Sequence, residues 1–314
     1  MKLLDCTLRD GSYVHKFSPA ENFRIAQLLD ESGIDYIEVG NGTGMGVYPD
    51  DEKYMEAASQ AVKKAKWGMF CIPGIGSIED VRRGAAHGMG FIRVGTNVDK
   101  YYGGREFIEE AKSLGLYVAA NFMKSYARPI EEFANAAEHA AEYGADAIYI
   151  VDSAGNMTPD EIEQYMWACG LKEIGFHGHN NLGLANGNAL EAKLLGADII
   201  DCSLQGIGRC TGNTVTEQFV AILQKMEEGK HYDLFKLMDT GEEFIRPLLG
   251  QSGLASLDLV CGLAGFHSSF LDLVTEIAGI YDIDPRRLVI EVCKKTQSEA
   301  PETLVREVAH ALAA

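Results

Sequence analysis

Short apolar runs alternate along this chain with longer segments whose apolar residues recur at helical spacing. The runs Leu3–Leu8, Asp35–Val39, Gly68–Ile72, Phe91–Val94, Tyr117–Phe122, Ala147–Val151, Ile174–His177 and Ile199–Ser203 predict strands. The segments Pro19–Ser32, Asp51–Ala65, Ile78–His87, Arg105–Leu114, Ile130–Tyr143, Thr158–Ala168, Asn186–Leu195 and Asn213–Glu228 predict amphipathic helices between them. End signals agree with these bounds. Ser18-Pro19-Ala20-Glu21 and Thr158-Pro159-Asp160-Glu161 each set a hydroxyl before Pro, with Glu three residues on, the pattern of a capping box. Ser32-Gly33, Tyr143-Gly144 and Leu195-Gly196 close helices on a residue that takes a left-handed turn without a Cβ clash.

Eight strand–helix units predict an α/β fold, a (β/α)8 TIM barrel over residues 1–230, with a doubly wound open sheet as the alternative. The barrel is favoured because polar groups follow nearly every strand: Arg9-Asp10, Glu38, Arg93, Asp152-Ser153 and His177/His179. A closed barrel gathers all strand C-termini at one mouth. Beyond Lys230 the pattern turns to helices without strands, Leu234–Leu248, Leu257–Thr275 and Pro285–Val292. This predicts a C-terminal helical extension over residues 231–314, with Leu248–Ala255 its least regular stretch.

Composition narrows the partners. A formal charge of -18 repels phosphate backbones and anionic lipid surfaces, so neither nucleic acid nor membrane is expected as a partner. The chain holds no apolar stretch of transmembrane length, and Asp5 comes too early for a signal peptide. The seven cysteines are odd in number, scattered and without a CxxC pair, which predicts free thiols in a reducing compartment. A cytoplasmic protein is expected.

The chemistry collects at three places. His177-Gly178-His179 puts two imidazoles two residues apart on one strand face, so both can point into the barrel mouth. Strand seven lies one strand away from strand one in a closed barrel, which brings Asp10 within reach. Two imidazoles and a carboxylate suit a divalent first-row metal. Arg9 beside such a site calls for an oxyanion between them, such as an enolate; the plain alternative is an ion pair of Arg9 with Glu38 or Asp152. Arg9 and Asp10 are adjacent and cannot both face inward from a regular strand, so the chain must end the strand or bend there, and Gly11 is expected to permit it. Ser153 follows strand six and suits a substrate carboxylate, or a simple turn. The run Gly206 to Asn213 is rich in glycine and opens a helix; Cys210 within it is expected to be a bystander.

Thr7-Leu8-Arg9-Asp10-Gly11, His177-Gly178-His179-Asn180-Asn181-Leu182 and Gly208…Gly212-Asn213, in that order, resemble the motifs of the DRE-TIM metallolyases. Within that superfamily the chain is most similar to the 4-hydroxy-2-oxovalerate aldolase (pyruvate aldolase) family, through Ile37-Glu38-Val39, Gly42-Thr43-Gly44, Pro73-Gly74-Ile75-Gly76, Asp152-Ser153-Ala154-Gly155 and Gly265-Phe266-His267-Ser268-Ser269-Phe270. The likeness extends to about Val292. It implies a lyase that cleaves a 4-hydroxy-2-oxoacid to pyruvate and an aldehyde, or joins them, through an enolate held at a divalent metal. That metal is Mn2+ first, with Mg2+, Co2+ or Zn2+ as substitutes. The resemblance also implies that Asp10, His177 and His179 hold the metal, that Asn213 assists, that Arg9 stabilises the enolate and that Ser153 meets the pyruvate carboxylate.

The chain departs from the family pattern twice. The family has a His two residues after Asp-Gly, where this chain has Tyr13, and a Tyr before Ser-Ser-Phe, where it has His267. The expectation is an exchanged pair, with His267 as base and Tyr13 as its partner, and His15 as the rival base. Family members also pair with an acylating aldehyde dehydrogenase; the tail here ends soon after Glu302–Ala314, which sets that partner in question. A homo-oligomer is expected. The rival functions are a Claisen-type acyl-CoA/2-oxoacid synthase, and a barrel without activity that serves as a subunit.

Overall fold

A computed structural model describes residues 1–170, 172–250 and 256–314. Residues 251–255 of the stretch Leu248–Ala255 lie outside the described ones.

Eight parallel strands close into a barrel in sequence order. They are β1 (Lys2–Asp5), β2 (Tyr36–Val39), β3 (Lys66–Cys71), β4 (Phe91–Asn97), β5 (Tyr117–Met123), β6 (Ala147–Asp152), β7 (Glu173–Gly178) and β8 (Ile199–Cys202). β1 pairs with β8 through Leu4↔Asp201 and Asp5↔Cys202, which closes the ring. The amphipathic segments form the outer helices, among them Pro19–Glu31, Ile78–Ala86, Arg105–Ser113 and Ile130–Glu142. Both predicted capping boxes form, at Ser18/Glu21 and at Thr158/Glu161.

The two-residue period of the strands builds the barrel interior in layers. Leu4, Tyr36, Phe91, Ala119 and Ile199 belong to one buried apolar cluster. Two residues further along the same strands come Glu38, Arg93, Asn121 and Asp201, all buried. An apolar plug thus supports a charged layer, and the mouth lies above that layer.

Several expected elements differ; the helices expected over Asp51–Ala65 and Asn213–Glu228 run only Asp51–Ala61 and Thr216–Lys225, and two further differences bear on the site. The first strand does not run to Leu8. It stops at Asp5, whose Oδ1 accepts the Thr7 N–H at 2.9 Å, and residues Thr7–Asp10 form a single helical turn. This turn is how adjacent Arg9 and Asp10 both reach the mouth. Gly11 is not the pivot: its φ of -62° is ordinary helix. The second difference is in the extension. The expected helix Leu257–Thr275 is two helices, Ser256–Ala264 and Leu271–Tyr281, parted by a short turn at Ser268–Phe270. Gly265, at φ +72°, ends the first of them, and the Phe266 N–H reaches the Cys261 carbonyl at 2.9 Å. The break sends His267 back to the barrel mouth.

Leu234–Leu248 is helical throughout but changes pitch, from an α-helix (Leu234–Thr240) to a π turn (Gly241–Ile245) and then a 3-10 turn (Arg246–Leu248). Its Leu237 and Ile245 belong to the barrel's core cluster. A second cluster, around Val274, Ile277, Leu288, Val292 and Val305, holds the extension together. Val305 lies on a final helix, Glu302–Ala313, that the predicted elements do not include. None of the seven cysteines is in a disulfide. No helix among the described residues is long and apolar enough to cross a membrane.

Candidate active site

The metal-type ligands come from two ends of the sequence. Asp10, His177 and His179 are all buried, and one ligand atom of each lies within 4.8 Å of the others. The His177 and His179 rings stand 5.1 Å apart and nearly perpendicular, both inside the mouth, as their i, i+2 spacing predicts. His177 Nδ1 sits 2.9 Å from Asp201 Oδ2. A carboxylate there holds the proton on Nδ1 and leaves the Nε2 lone pair for a cation. Asn213 Nδ2 donates to Asp10 Oδ2 at 2.5 Å and to the Ile207 carbonyl at 3.2 Å. Its buried Oδ1 has no hydrogen-bond partner, which leaves an acceptor beside the carboxylate. Gly208 is required by close approach: a Cβ there would stand 2.8 Å from Asp10 Oδ2 and 2.5 Å from Asn213 Nδ2.

Arg9 is held from two sides. Its Nε donates to Glu38 Oε2 at 2.7 Å and one Nη to Asp10 Oδ1 at 2.8 Å, and the guanidinium lies over the Phe70 ring. The expected alternative partner Asp152 is occupied elsewhere, accepting from the Asn156 and Met157 N–H groups. Glu38 in turn binds Arg93, and Arg93 binds Asp201. One continuous network therefore runs from Arg9 through Glu38, Arg93 and Asp201 to His177.

This network sets the protonation of the cluster. Burial alone would raise the Asp10 carboxyl, but Arg9 above all, with His179, His177 and Asn213, holds it well below the usual range. Burial pushes the His179 imidazole down to about 3, against the pull of Asp10. At neutral pH the pair is a carboxylate and a neutral imidazole, the forms that ligate metals. The donor set, its convergence and the unpartnered Asn213 oxygen fit a divalent ion.

Above the cluster lies a cavity of about 250 Å³. Arg9, Asp10, Tyr13, Ser153, His177, His179 and His267 all line it, so seven of the eight expected site residues meet in one space. The eighth, Asn213, reaches it through Asp10. Ser153 Oγ accepts the Lys124 N–H at 2.9 Å and keeps its own hydroxyl proton to donate. His267 comes from the broken helix; its Nδ1 lies 2.7 Å from Ser269 Oγ, which leaves Nε2 to meet a ligand. Burial, with Lys124 and Arg209 nearby, pushes His267 well below the usual imidazole range. His15 is not among the cavity residues and sits 3.2 Å from Glu21 Oε1.

Asp201 and Lys124 are not among the residues that the sequence motifs single out. Asp201 had a signal, a carboxylate inside the apolar strand Ile199-Ile200-Asp201-Cys202. Lys124 had none; it stands at φ +57° at the end of β5, with Nζ on the Ser298 carbonyl of the extension at 2.8 Å.

Fold and site together define a carbon–carbon lyase of the aldolase type on a TIM barrel, and comparisons with known proteins agree. Residues 1–244 match the HMGL-like family, and residues 253–314 match the DmpG-like communication domain. The 4-hydroxy-2-oxovalerate aldolase of Carboxydothermus hydrogenoformans is 37% identical, over 99% of this chain and 97% of its own. That of Moorella thermoacetica is 35% identical, over 99% and 96%. The carboxyl transferase domain of Rhizobium etli pyruvate carboxylase, solved with pyruvate, shares the fold at a TM-score of 0.80 and 16% identity, covering all of this chain and 60% of that one. The chain belongs to the HMGL-like family and, within it, to the family of the 4-hydroxy-2-oxovalerate aldolases. The likeness does not stop near Val292, as the sequence motifs suggest, but takes in the last helix.

Proposed function

We propose that this protein cleaves a 4-hydroxy-2-oxoacid into pyruvate and an aldehyde, or joins the two, with Asp10, His177 and His179 as metal ligands. The observation that carries the reading is the meeting of that cluster with Arg9, Ser153 and His267 in one cavity. A divalent ion there, Mn2+ in first place, supplies Lewis-acid stabilisation of a developing enolate.

The protein groups do the rest. Ser153 donates its hydroxyl proton to the substrate carboxylate. Arg9 keeps one Nη free of its Glu38 and Asp10 bonds, and that nitrogen donates to the 2-oxo oxygen as charge builds on it. His267, neutral at physiological pH, takes the C4 hydroxyl proton while the C3–C4 bond breaks. His267 Nδ1 accepts the Ser269 backbone N–H at 3.3 Å and lies 2.7 Å from Ser269 Oγ; the base-competent tautomer replaces the first bond by Nδ1–H donating to Ser269 Oγ, with the lone pair on Nε2. Tyr13, which lines the same cavity, hydrogen-bonds the emerging aldehyde oxygen. The enolate is then protonated at C3 and leaves as pyruvate.

The catalytic unit is residues 1–230 and the helical extension residues 231–314, with Leu234–Thr240 packed on the barrel. The communication-type domain supports a protein partner, which we assign as an acylating aldehyde dehydrogenase that takes the aldehyde. Seven cysteines outside any disulfide support a cytoplasmic setting. The test is pyruvate release from 4-hydroxy-2-oxovalerate by Mn2+-loaded protein. Release of free thiol from acetyl-CoA with a 2-oxoacid, and no pyruvate release, would favour the Claisen-type synthase instead.

A further inference from the structure

The charges in the cavity do not balance for a substrate with one carboxylate. Arg9 and Arg93 are matched by Asp10, Glu38 and Asp201, two cations against three anions. A divalent ion would reverse that sign to one net positive charge, which the carboxylate of a 2-oxoacid answers. Two more cations then remain on the wall, Lys124 and Arg209. Lys124 Nζ bonds only the neutral Ser298 carbonyl and lies over the Phe270 ring. The acids whose charges reach it are already paired, Glu299 with Lys100 and Asp99 with Arg128. Arg209 lies over the Tyr13 ring, its Cζ 3.6 Å from the centroid, and has no acidic partner among the described residues. Both are half-buried rather than spread into solvent.

The position of Arg209 decides what it meets. Tyr13 and His267 flank the C4 oxygen in the mechanism above, so Arg209, over the Tyr13 ring, lies on the aldehyde side of the bond that breaks. Half-buried cations without counter-ions cost desolvation energy that an anionic ligand would offset. A guanidinium fixed by an aromatic face offers a planar, bidentate surface for a carboxylate. The cavity is below the ~300–1,000 Å³ of drug-sized pockets, so the group read there is small.

The geometry points to an aldehyde partner that itself carries an anionic group, a short semialdehyde acid, with Arg209 as the specificity residue and Lys124 as its support. This rests on the pyruvate-aldolase reading. The experiment compares aldol addition of pyruvate to succinic semialdehyde and to butanal, four-carbon aldehydes with and without a carboxylate, using Mn2+-loaded wild type and Arg209→Gln. Methyl deuterium exchange of pyruvate is measured alongside. The expected result is a kcat/KM ratio of at least about tenfold in favour of the semialdehyde in wild type, falling to near unity in Arg209→Gln. Equal or better use of butanal by wild type overturns the inference, as does a ratio unmoved by Arg209→Gln. If wild type does not exchange the pyruvate methyl protons, the aldolase reading falls, and this inference with it; exchange with a preference for butanal removes the inference alone.

Discussion

His177 Nδ1 and Asp201 Oδ2 lie 2.9 Å apart at the floor of the cavity, and Asp201 is itself held by Arg93. The contact fixes which imidazole nitrogen faces Asp10 and His179, and it links a metal-type cluster to a buried charge network. Asp201→Asn keeps the shape but loses the charge that holds the Nδ1 proton. Mn2+ affinity should fall about 10–100-fold by calorimetry. An unchanged affinity would mean that His177 is oriented by packing alone.

Glu38 is wholly buried between Arg9 and Arg93. Glu38→Gln leaves two guanidiniums facing each other without the carboxylate that separates their charges. The expected cost is about 3–5 kcal/mol in urea unfolding, because breaking a buried ion pair leaves an uncompensated charge. A loss under about 1 kcal/mol would show that Asp10 and Asp201 suffice to hold both arginines.

His267→Ala should reduce kcat by at least about a hundredfold, the usual scale of a lost general base. His15→Ala should stay within about twofold, since its ring bonds Glu21 outside the cavity. The reverse pattern would move the base to His15 and end the exchanged-pair assignment.

The pH profile follows from the same residue. His267 is held well below the usual imidazole range, chiefly by burial. A base works unprotonated, and lowering its pKa extends that form toward acid. The acid limb of kcat/KM should therefore lie clearly below pH 6.5, the ordinary histidine value. A limb at or above that value would assign the proton to another group.

The barrel was legible because eight apolar runs of strand length alternate with capped amphipathic helices, and each signal is local. The metal-type cluster was legible because His177-Gly178-His179 carries its geometry in its spacing. What was not legible is set by distance or by brevity. A one-turn helix at Thr7–Asp10 has no period to read, so Arg9 and Asp10 looked like a strand end. The Arg93–Asp201 bond joins residues far apart in the chain, and no local pattern announces it; Asn213 was legible beside Asp10 only through the family motifs. The break at Gly265 hid within an apolar run, although it is what places His267 at the mouth.

The most direct measurement is deuterium exchange at the methyl group of pyruvate, by proton NMR, with Mn2+-loaded wild type and Asp10→Asn. Exchange reports enolate formation without any aldehyde, so it isolates the cluster, Arg9 and Ser153. Ready exchange is expected in wild type, and a loss of at least about a hundredfold in Asp10→Asn. Wild type that binds Mn2+ without exchanging pyruvate, or Asp10→Asn that exchanges as fast as wild type, would contradict it.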